Sequence, residues 1–308
     1  MSRVPVLEIG GTHVTAAVID TASARYAPLA AVRQPIPAHA PAGRLLDAIA
    51  AVGDQVDAPA GAHWGVAIPG PFDYETGIGR FRGIGKFESL HGVDVGAELL
   101  VRLPGTPGGI SFVNDADAFS LGEYRAGAAA GRHRVVCITL GTGVGSSFLD
   151  GGRPVVDGPD VPPGGRAHRL SVNGIPLEEV VSRRAIRRFY ATAAGLSGDG
   201  PVPDVRDIAA SARAGEAPAL HTIRHCFGAL GRALAPWCER FRPDLMVVGG
   251  SMAGSWDLVG PAVREGFEAW APGVAPPAVT ALRPVDAPLV GAAHWALHKA
   301  AAGLRAPT

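Results

Sequence analysis

Residues 4–20 read Val-Pro-Val-Leu-Glu-Ile-Gly-Gly-Thr-His-Val-Thr-Ala-Ala-Val-Ile-Asp. Apolar and β-branched residues flank a Gly-Gly pair, which is typical of two antiparallel strands joined by a tight turn. We therefore predict strands over residues 4–9 and 14–19. Glycine lets backbone N–H groups approach an anion closely, and hydroxyls beside it can donate further hydrogen bonds. The turn at Gly10, Gly11 and Thr12 is therefore a candidate phosphate site.

The same pattern returns later in the chain. Residues 135–140 are apolar, residues 141–145 are Gly-Thr-Gly-Val-Gly, and a second strand-like run follows them. A strand–turn–strand unit that occurs twice indicates two similar α/β halves. A third apolar run, 245–248, precedes Gly249, Gly250 and Ser251. A single glycine turn is usually only a turn, but three beside Ser or Thr favour a phosphate site.

The spacing of apolar residues in the rest of the chain predicts the other strands and helices. We predict strands over 64–68 and 110–113 and helices over 42–52, 116–130, 204–214, 217–240 and 288–301, with helical structure also around 175–195. These elements predict a smaller α/β domain of residues 1–116 plus 289–308 and a larger α/β domain of residues 117–288.

Composition excludes several classes of partner. The 308 residues carry no net charge and no basic run, so neither nucleic acid nor an anionic membrane is an expected partner. No apolar stretch approaches the length of a membrane span, and no leader-like segment precedes the first strand. Three scattered cysteines without a CxxC pair fit a reducing compartment, so a cytoplasmic protein with small-molecule partners is expected.

Two common phosphate motifs are absent. The chain has no G-x-x-x-x-G-K-[ST] sequence, and residues 141–145 run into a strand instead of opening a helix. P-loop and Rossmann architectures are therefore disfavoured.

A combination of motifs, in order, resembles the ROK kinases, the bacterial glucokinase-like branch of the actin/hexokinase ATPase superfamily. Residues 7–13, Leu-Glu-Ile-Gly-Gly-Thr-His, are similar to the family's D-I-G-G-T-K phosphate motif, and residues 113–118, Val-Asn-Asp-Ala-Asp-Ala, to its E-N-D-A-N-A segment. The other matches are Ile-Pro-Gly-Pro at 68–71, Thr-Leu-Gly-Thr-Gly-Val-Gly at 139–145, Leu-Glu-Glu-Val-Val-Ser at 177–182 and Gly-Gly-Ser at 249–251.

The resemblance implies a two-domain actin-like ATPase (ribonuclease H-like) fold with the active site in the interdomain cleft. It implies an ATP- and Mg2+-dependent kinase acting on a hexose, with the 6-hydroxyl of glucose or a close analogue as the acceptor. The implied partners are ATP and a sugar or polyol, and the implied assembly is a homodimer.

The resemblance also assigns roles to residues. Asp115 becomes the general base that takes the proton of the attacking hydroxyl, although an Asp at this junction could equally be only a helix N-cap. The implied sugar-side residues are Gly70, Asn114, Asp115, His168 and Glu178. The implied triphosphate residues are Gly10, Gly11, Thr12, Gly141, Thr142 and Gly143, with Gly249 and Gly250 on the adenosine side. Glu8, in place of the usual Asp, would act near Mg2+ through water.

The sequence departs from the family pattern around the sugar. Gly165 stands where members carry a Glu, which removes one anionic acceptor from the pocket. No cysteine lies between His168 and Glu178, so we predict no structural zinc, and Asn173-Gly174 is expected to hold this loop as a turn. Lys86 is a new polar group near the sugar loop, and it is either a solvated loop lysine or a pocket residue.

These departures leave alternatives open. The acceptor could be an amino sugar (kanosamine-like) or a C7-cyclitol of secondary metabolism instead of glucose. A non-catalytic sugar sensor or regulator is the alternative from another class. Regulators of this family carry an N-terminal helix-turn-helix, whereas here the first phosphate motif already begins at Glu8, so no DNA-binding domain is expected.

Overall fold

The computed structural model of the chain describes residues 3–23, 26–196 and 201–303. The strands of this part are β1 (Arg3–Ile9), β2 (His13–Asp20), β3 (Ala27–Pro35), β4 (His63–Ile68), β5 (Phe72–Asp73), β6 (Ile78–Gly79), β7 (Gly109–Asn114), β8 (Arg134–Leu140), β9 (Val144–Asp150), β10 (Arg153–Pro154), β11 (Ser171–Val172), β12 (Ile175–Pro176), β13 (Leu245–Gly249) and β14 (Ala278–Thr280). The α-helices are α1 (Ala42–Gly53), α2 (Val95–Arg102), α3 (Asp115–Ala126), α4 (Glu178–Val181), α5 (Arg183–Ala193), α6 (Val205–Arg213), α7 (Ala217–Phe241), α8 (Trp256–Glu268) and α9 (Ala287–Gly303).

The chain divides into two compact units, residues 1–130 with 285–308 (the first unit) and residues 131–284 (the second unit). The predicted domains instead divide at 116/117 and 288/289, which would give α3 to the larger domain. The structure keeps α3 in the first unit because α3 packs closely on α9: a Cβ at Gly291 would overlap the carbonyl oxygen of Ala118. Because Gly291 has no side chain, the backbones of α3 and α9 can come into contact.

The first unit is built on a five-stranded sheet of order β3-β2-β1-β4-β7. The strands β1 and β2 are antiparallel, as predicted for the segment 4–20, whereas β1, β4 and β7 are mutually parallel. In register, Glu8 lies opposite Ala67, and Ala67 lies opposite Val113. The carboxyl ends of the three parallel strands therefore reach the same edge of the sheet.

The second unit repeats this sheet, with the strand order β10-β9-β8-β13-β14. The strands β8 and β9 are antiparallel, and β8, β13 and β14 are parallel. Residues 11–20 and 141–150 even share the same succession of buried and exposed positions. The predicted internal repeat is confirmed, and each unit has its own hydrophobic core.

Some elements differ from the sequence prediction. The helical region predicted around 175–195 is divided into β12, α4 and α5, because the extended backbone at Ser182 ends α4 and the Ser182 hydroxyl caps α5 by accepting from the Ala185 N–H (3.3 Å). The strand β3 was not predicted: it is a largely exposed edge strand and lacks an apolar alternation. None of the helices within the described residues has both the length and the apolar character needed to cross a membrane.

Candidate active site

Residues from three of the predicted motifs lie at one edge of the first sheet, where the carboxyl ends of β1, β4 and β7 meet. Gly10 follows β1, Gly70 follows β4 after one proline, and Asp115 follows β7. Neighbouring strands lie about 4.8 Å apart, so the backbone at Asp115 begins about 10 Å from Gly10, with the Gly70 loop between them. A phosphate at the first turn and a hydroxyl beside Asp115 can both be accommodated over that distance.

Asp115 is exposed and occupies the first position of α3. The N-cap of this helix is Asn114, whose Oδ1 accepts from the Ala116 N–H (3.1 Å), and Asp115 Oδ1 accepts from the same N–H (2.9 Å). The N-cap of α3 is therefore Asn114 and not Asp115. The Asp115 carboxylate keeps an exposed side on the edge of the sheet.

Asn114 is buried and held by a tyrosine that the sequence analysis did not select. Its Nδ2 donates to the Tyr74 hydroxyl (2.9 Å), and that hydroxyl donates to the Ile68 carbonyl (3.3 Å). A Cβ at Gly70 would lie 3.4 Å from the same hydroxyl. Tyr74 thus contacts the end of β4, the Gly70 loop and Asn114. The spacing of the sequence motifs does not indicate this role.

Glu8 is half-buried on β1, in a row with Thr15 on β2 and Arg33 on β3. Burial raises the pKa of Glu8 above its ordinary value of 4.5; Arg33 lowers it, the nearby Asp115 carboxylate raises it, and a hydrogen bond from Thr15 lowers it. The carboxyl groups of Glu8 and Asp115, to which the resemblance assigned the metal and the base, therefore lie close enough to influence each other electrostatically.

The first glycine turn (Gly10, Gly11 and Thr12) is closed by the Gly10 N–H donating to the His13 carbonyl (2.8 Å). A Cβ at Gly11 would lie 3.0 Å from both Cδ and Nζ of Lys86. Lys86 is half-buried against this turn, so the interpretation of Lys86 as a solvated loop lysine is wrong. The contact joins residues far apart in the sequence, which no local pattern could indicate.

The second glycine turn (Gly141, Thr142 and Gly143) also receives a charged side chain. A Cβ at Gly143 would overlap Oε1 of Glu178, so the Glu178 carboxylate lies directly against this turn. Glu178 is the first residue of α4, and the Arg183 N–H at the start of α5 donates to the Gly141 carbonyl (3.2 Å). The structure thus joins one residue assigned to the sugar with the turn assigned to phosphate.

The third glycine turn adjoins the second. Gly250 has φ +85°, and a Cβ there would overlap the Leu140 carbonyl oxygen at the end of β8. Thr142 and Ser251 line a cavity of about 440 Å³. Other lining residues are Arg183, Asp204, Arg213, Phe227, Met252 and Ser255. Because this cavity begins at the second and third glycine turns, it is the candidate nucleoside site of the second unit.

The loop around Gly165 is shaped by its backbone. Gly165 has φ +68°, and a Cβ there would lie 3.0 Å from the Val155 carbonyl oxygen. The Ser146 hydroxyl donates to the Gly165 carbonyl (2.7 Å) and accepts from the Ala167 N–H (2.6 Å). Gly165 is therefore a turn residue, and His168 follows it in a single half-buried 3₁₀ turn, Ala167–Arg169.

The segment between His168 and Glu178 forms a hairpin of β11 and β12. Its turn residues, Asn173 and Gly174, have φ +53° and +78°, so the predicted turn at this dipeptide is confirmed. Within the ranges that the structure describes, no three His, Cys, Asp or Glu side chains converge as a metal-binding group.

Comparison with known proteins extends the likeness over nearly the whole chain. The model of the ROK family matches residues 5–160 and 172–299. The unmatched interval contains Gly165 and His168, the part of the chain that also departs from the family motifs. A glucokinase of Thermotoga maritima is 31% identical over 241 residues, which span 72% of this chain and 73% of that protein.

Two solved structures match in fold over almost their full lengths. The ROK hexokinase of Thermus thermophilus has a TM-score of 0.77 at 26% identity, covering 98% of this chain and 100% of the other. A ROK family glucokinase of Streptomyces griseus, in complex with glucose and AMPPNP, has a TM-score of 0.75 at 26% identity, covering 96% and 99% of the two chains. The predicted α/β, actin-like ATPase fold is confirmed.

Proposed function

Because the chain belongs to the ROK family and is an ATP-dependent sugar kinase, we propose that it phosphorylates the 6-hydroxyl of glucose or a close analogue with Asp115 as the general base. The observation that carries the proposal is the convergence of Gly10, Gly70 and Asp115 at one edge of parallel strands. The carboxyl ends of parallel strands are the usual location of ligand sites in α/β sheets.

The proposed step is an in-line transfer of the γ-phosphoryl group. The acceptor oxygen forms a bond to phosphorus, the bond to the β-phosphate oxygen breaks, and ADP leaves. Asp115 takes the hydroxyl proton, which makes the acceptor oxygen a stronger nucleophile in the transition state. The Asp115 carboxylate suits this role because Asn114 already caps α3 and leaves Asp115 exposed.

The glycine turns supply the proposed triphosphate contacts. Backbone N–H groups at Gly11 and Gly143, with the exposed hydroxyls of Thr12 and Thr142, offer donors to phosphate oxygens, and Gly141 is proposed to shape the second turn, because its N–H donates to the Gly143 carbonyl (3.1 Å). Gly249 and Gly250 are proposed to border the nucleoside, because they adjoin the cavity of about 440 Å³.

The residues near Asp115 fit Mg2+, which is proposed as the cofactor. Mg2+ prefers carboxylate, water and phosphate oxygens, and it usually takes only one or two carboxylates from the protein. The nearby carboxyl groups of Glu8 and Asp115 supply hard oxygen donors of this kind. When bound, the ion offsets charge between the β- and γ-phosphates. Glu8 would hold one of its water ligands.

The sugar-side roles of Gly70, Asn114, His168 and Glu178 are proposed from the family resemblance. Tyr74 supports the role of Asn114, because its hydroxyl fixes the Asn114 amide next to the Gly70 loop. The contact of Glu178 with Gly143 supports a place for Glu178 near the transferred phosphate as well as the sugar.

A screen of acceptors tests the proposed function. Purified protein with Mg-ATP and a panel of hexoses, amino sugars and cyclitols is followed by ADP release, and the product by NMR for the phosphorylated position. Asp115→Asn is expected to lower kcat by about 10²- to 10⁴-fold, the usual contribution of a general base, while AMPPNP binding is retained. Wild-type turnover no higher than that of Asp115→Asn on every acceptor would refute the proposal.

An amino sugar or a C7-cyclitol is the second candidate acceptor, and the backbone at Gly165 favours it. A side chain at φ +68° and 3.0 Å from a carbonyl oxygen is strained, so this loop is built without the carboxylate that the family pattern has at this position. A higher kcat/KM for an amino sugar than for glucose in the same screen would establish this acceptor.

A cytoplasmic homodimer is proposed as the working form. Cys137, Cys226 and Cys238 are all buried and form no disulfide, which suits a reducing compartment. Burial raises the pKa of Cys226 and of Cys238 to about 12, so neither thiol is reactive at neutral pH. Light scattering of the purified protein tests the dimer, and a monomeric mass would contradict it.

A further inference from the structure

Lys86 lies against the first glycine turn because the loop that carries it is fixed on both sides. The neighbouring Phe87 is fully buried with φ +60°, and its N–H donates to the Ala38 carbonyl (2.9 Å). The Ile36 N–H donates in turn to the Thr12 carbonyl (3.0 Å). The segment 36–40 therefore connects the glycine turn with the residue next to Lys86.

Glu88 holds the other side of the loop. Its carboxylate accepts from the N–H groups of Gly83 (3.1 Å), Ile84 (2.6 Å) and Gly85 (2.9 Å). These hydrogen bonds, chiefly those from Gly85 and Ile84, lower the pKa of Glu88. Glu88 is thus occupied with the loop backbone and organises the three residues that precede Lys86.

Within the part of the chain that the structure describes, the Lys86 ammonium has no anionic partner. Among the described residues it makes no hydrogen bond and no ion pair; its nearest aromatic contact is the Phe87 ring, 5.9 Å from Nζ. The sequence has two lysines, Lys86 and Lys299, among 28 basic residues, and Lys299 pairs with Glu75 (2.7 Å). A half-buried ammonium without an acceptor is suited to bind an anion that arrives with a ligand.

We propose that Lys86 binds the γ-phosphate of ATP above Gly11, an inference that rests on the proposed kinase function. The γ-phosphate is the group that must reach the acceptor hydroxyl beside Asp115, and Gly11 and Asp115 share the carboxyl edge of β1, β4 and β7. Lysine presents a compact point charge, which suits the transferred phosphoryl group because its negative charge is spread over three oxygens. Lys86 forms no covalent bond and takes no proton in this step.

The first test compares nucleotide affinities. Lys86→Met removes the charge and keeps a similar length. Equilibrium binding with Mg2+ should show an AMPPNP affinity about 10- to 100-fold weaker, as expected for one lost charged hydrogen bond, and an ADP affinity within about 2-fold of wild type. Lys299→Met is the matched control and should bind both nucleotides like wild type.

The second test needs no variant and covers the case in which Lys86→Met does not fold. Wild-type protein is acetylated at low reagent concentration, and the two lysines are resolved by peptide mass spectrometry. AMPPNP should slow acetylation of Lys86 at least about 5-fold more than ADP does, whereas Lys299 should react equally in all samples.

The outcomes separate this inference from the proposed function. Turnover of a sugar by wild type, with unchanged AMPPNP affinity in Lys86→Met or equal protection of Lys86 by ADP, would overturn only the role of Lys86. A raised acceptor KM with unchanged AMPPNP affinity would assign Lys86 to an acidic acceptor instead. AMPPNP binding that depends on Lys86 without turnover of any sugar would overturn only the proposed function.

Discussion

Tyr74 and Asn114 form a hydrogen-bonded pair in which Tyr74 fixes the orientation of the Asn114 side chain. Asn114 uses Oδ1 to cap α3 and Nδ2 to donate to Tyr74, so its amide is fixed in one orientation. A fixed amide presents a defined donor and acceptor to a sugar hydroxyl, which avoids the entropy of ordering it on binding. Tyr74 is thereby a positioning residue for the proposed sugar site.

Tyr74→Phe should therefore weaken the acceptor side of the reaction alone. We expect the KM for the preferred acceptor to rise about 2- to 10-fold, the equivalent of one neutral hydrogen bond, with the KM for ATP unchanged. Tyr124→Phe, on α3, is the matched control. A rise in both KM values would point to general disturbance of the sheet edge instead.

At neutral pH, the ionised Glu8 should lower the free energy of unfolding, while it contributes to catalytic activity. Its pKa is raised in the folded protein, chiefly by burial, so the folded state holds this proton more tightly than the unfolded state. The contribution of Glu8 to the free energy of unfolding is therefore lost as the pH rises above 4.5. Glu8→Gln should raise Tm at pH 7 relative to wild type but not at pH 4, and should lower kcat.

The measurement is a series of thermal unfolding curves of wild type and Glu8→Gln from pH 4 to pH 8, without nucleotide or metal. The difference in Tm should grow as the pH rises. A Tm difference that stays constant over this range, or that reverses, would contradict a raised pKa of Glu8.

Site residues were predictable where a motif places them at the end of a strand. Gly10 was selected because a strand, a glycine pair and a second strand follow in sequence, whereas the role of Asp115 came from the family resemblance and stays a prediction. Lys86 against Gly11 and Glu178 against Gly143 were not predictable as contacts, because each joins separate loops whose meeting depends on the folded backbone. The clue in the sequence was the residue type alone: a rare lysine and a motif glutamate.

Among the elements, the strands beside the glycine turns were predictable because apolar and β-branched runs were interrupted by glycine. The strand β3 shows the limit of this reasoning, since it lies on an exposed edge and has no apolar alternation that would indicate a strand. The division between α4 and α5 shows another limit: Ser182 lies in a helix-compatible sequence, but its side chain caps α5 and its backbone is extended.

The loop at Gly165 yields a prediction about an element. Gly165→Ala and Gly165→Glu should each lower the free energy of unfolding by about 1–2 kcal/mol, because a Cβ is strained at φ +68° and meets the Val155 carbonyl. Gly165→Glu should also fail to lower the KM for glucose. Urea unfolding and steady-state kinetics supply the two measurements.

Gly174→Asn is the matched control for this loop. Gly174 also has a positive φ, +78°, but no atom lies within 4 Å of a Cβ there, and asparagine tolerates this conformation. We expect it to cost well under about 1 kcal/mol. Glucose kinetics improved by Gly165→Glu would show that the loop can still accept the family carboxylate.

The two units share a sheet design and differ in chemistry. Glu8 of β1 and Thr139 of β8 are equivalent, each being a half-buried residue before a buried one at the strand end. The first unit has the Glu8 and Asp115 carboxylates at its strand ends, and the second has the cavity beside Thr142 and Ser251. A repeated sheet thus carries two carboxylates at the strand ends of one copy and the candidate nucleoside site in the other.

The helix α9 gives the last prediction, because it completes the first unit from the far end of the chain. It packs on α3, β1 and β4, and the Trp295 Nε1 donates to the Phe112 carbonyl (2.8 Å). Gly291→Val would overlap the Ala118 carbonyl oxygen and should destabilise this unit by about 1–3 kcal/mol. Among the described residues, the core of the second unit includes none from α9, so its stability should be unchanged.

Hydrogen exchange distinguishes the two units in this variant. Amides of β1, β4 and β7 should lose protection in Gly291→Val, while amides of β8 and β13 should keep it, since each unit has its own core. Ala302→Val, at an exposed position of α9, is the control and should leave both sets unchanged. Equal loss of protection in both sheets would mean that the units unfold as one cooperative body, and α9 would then stabilise the whole molecule.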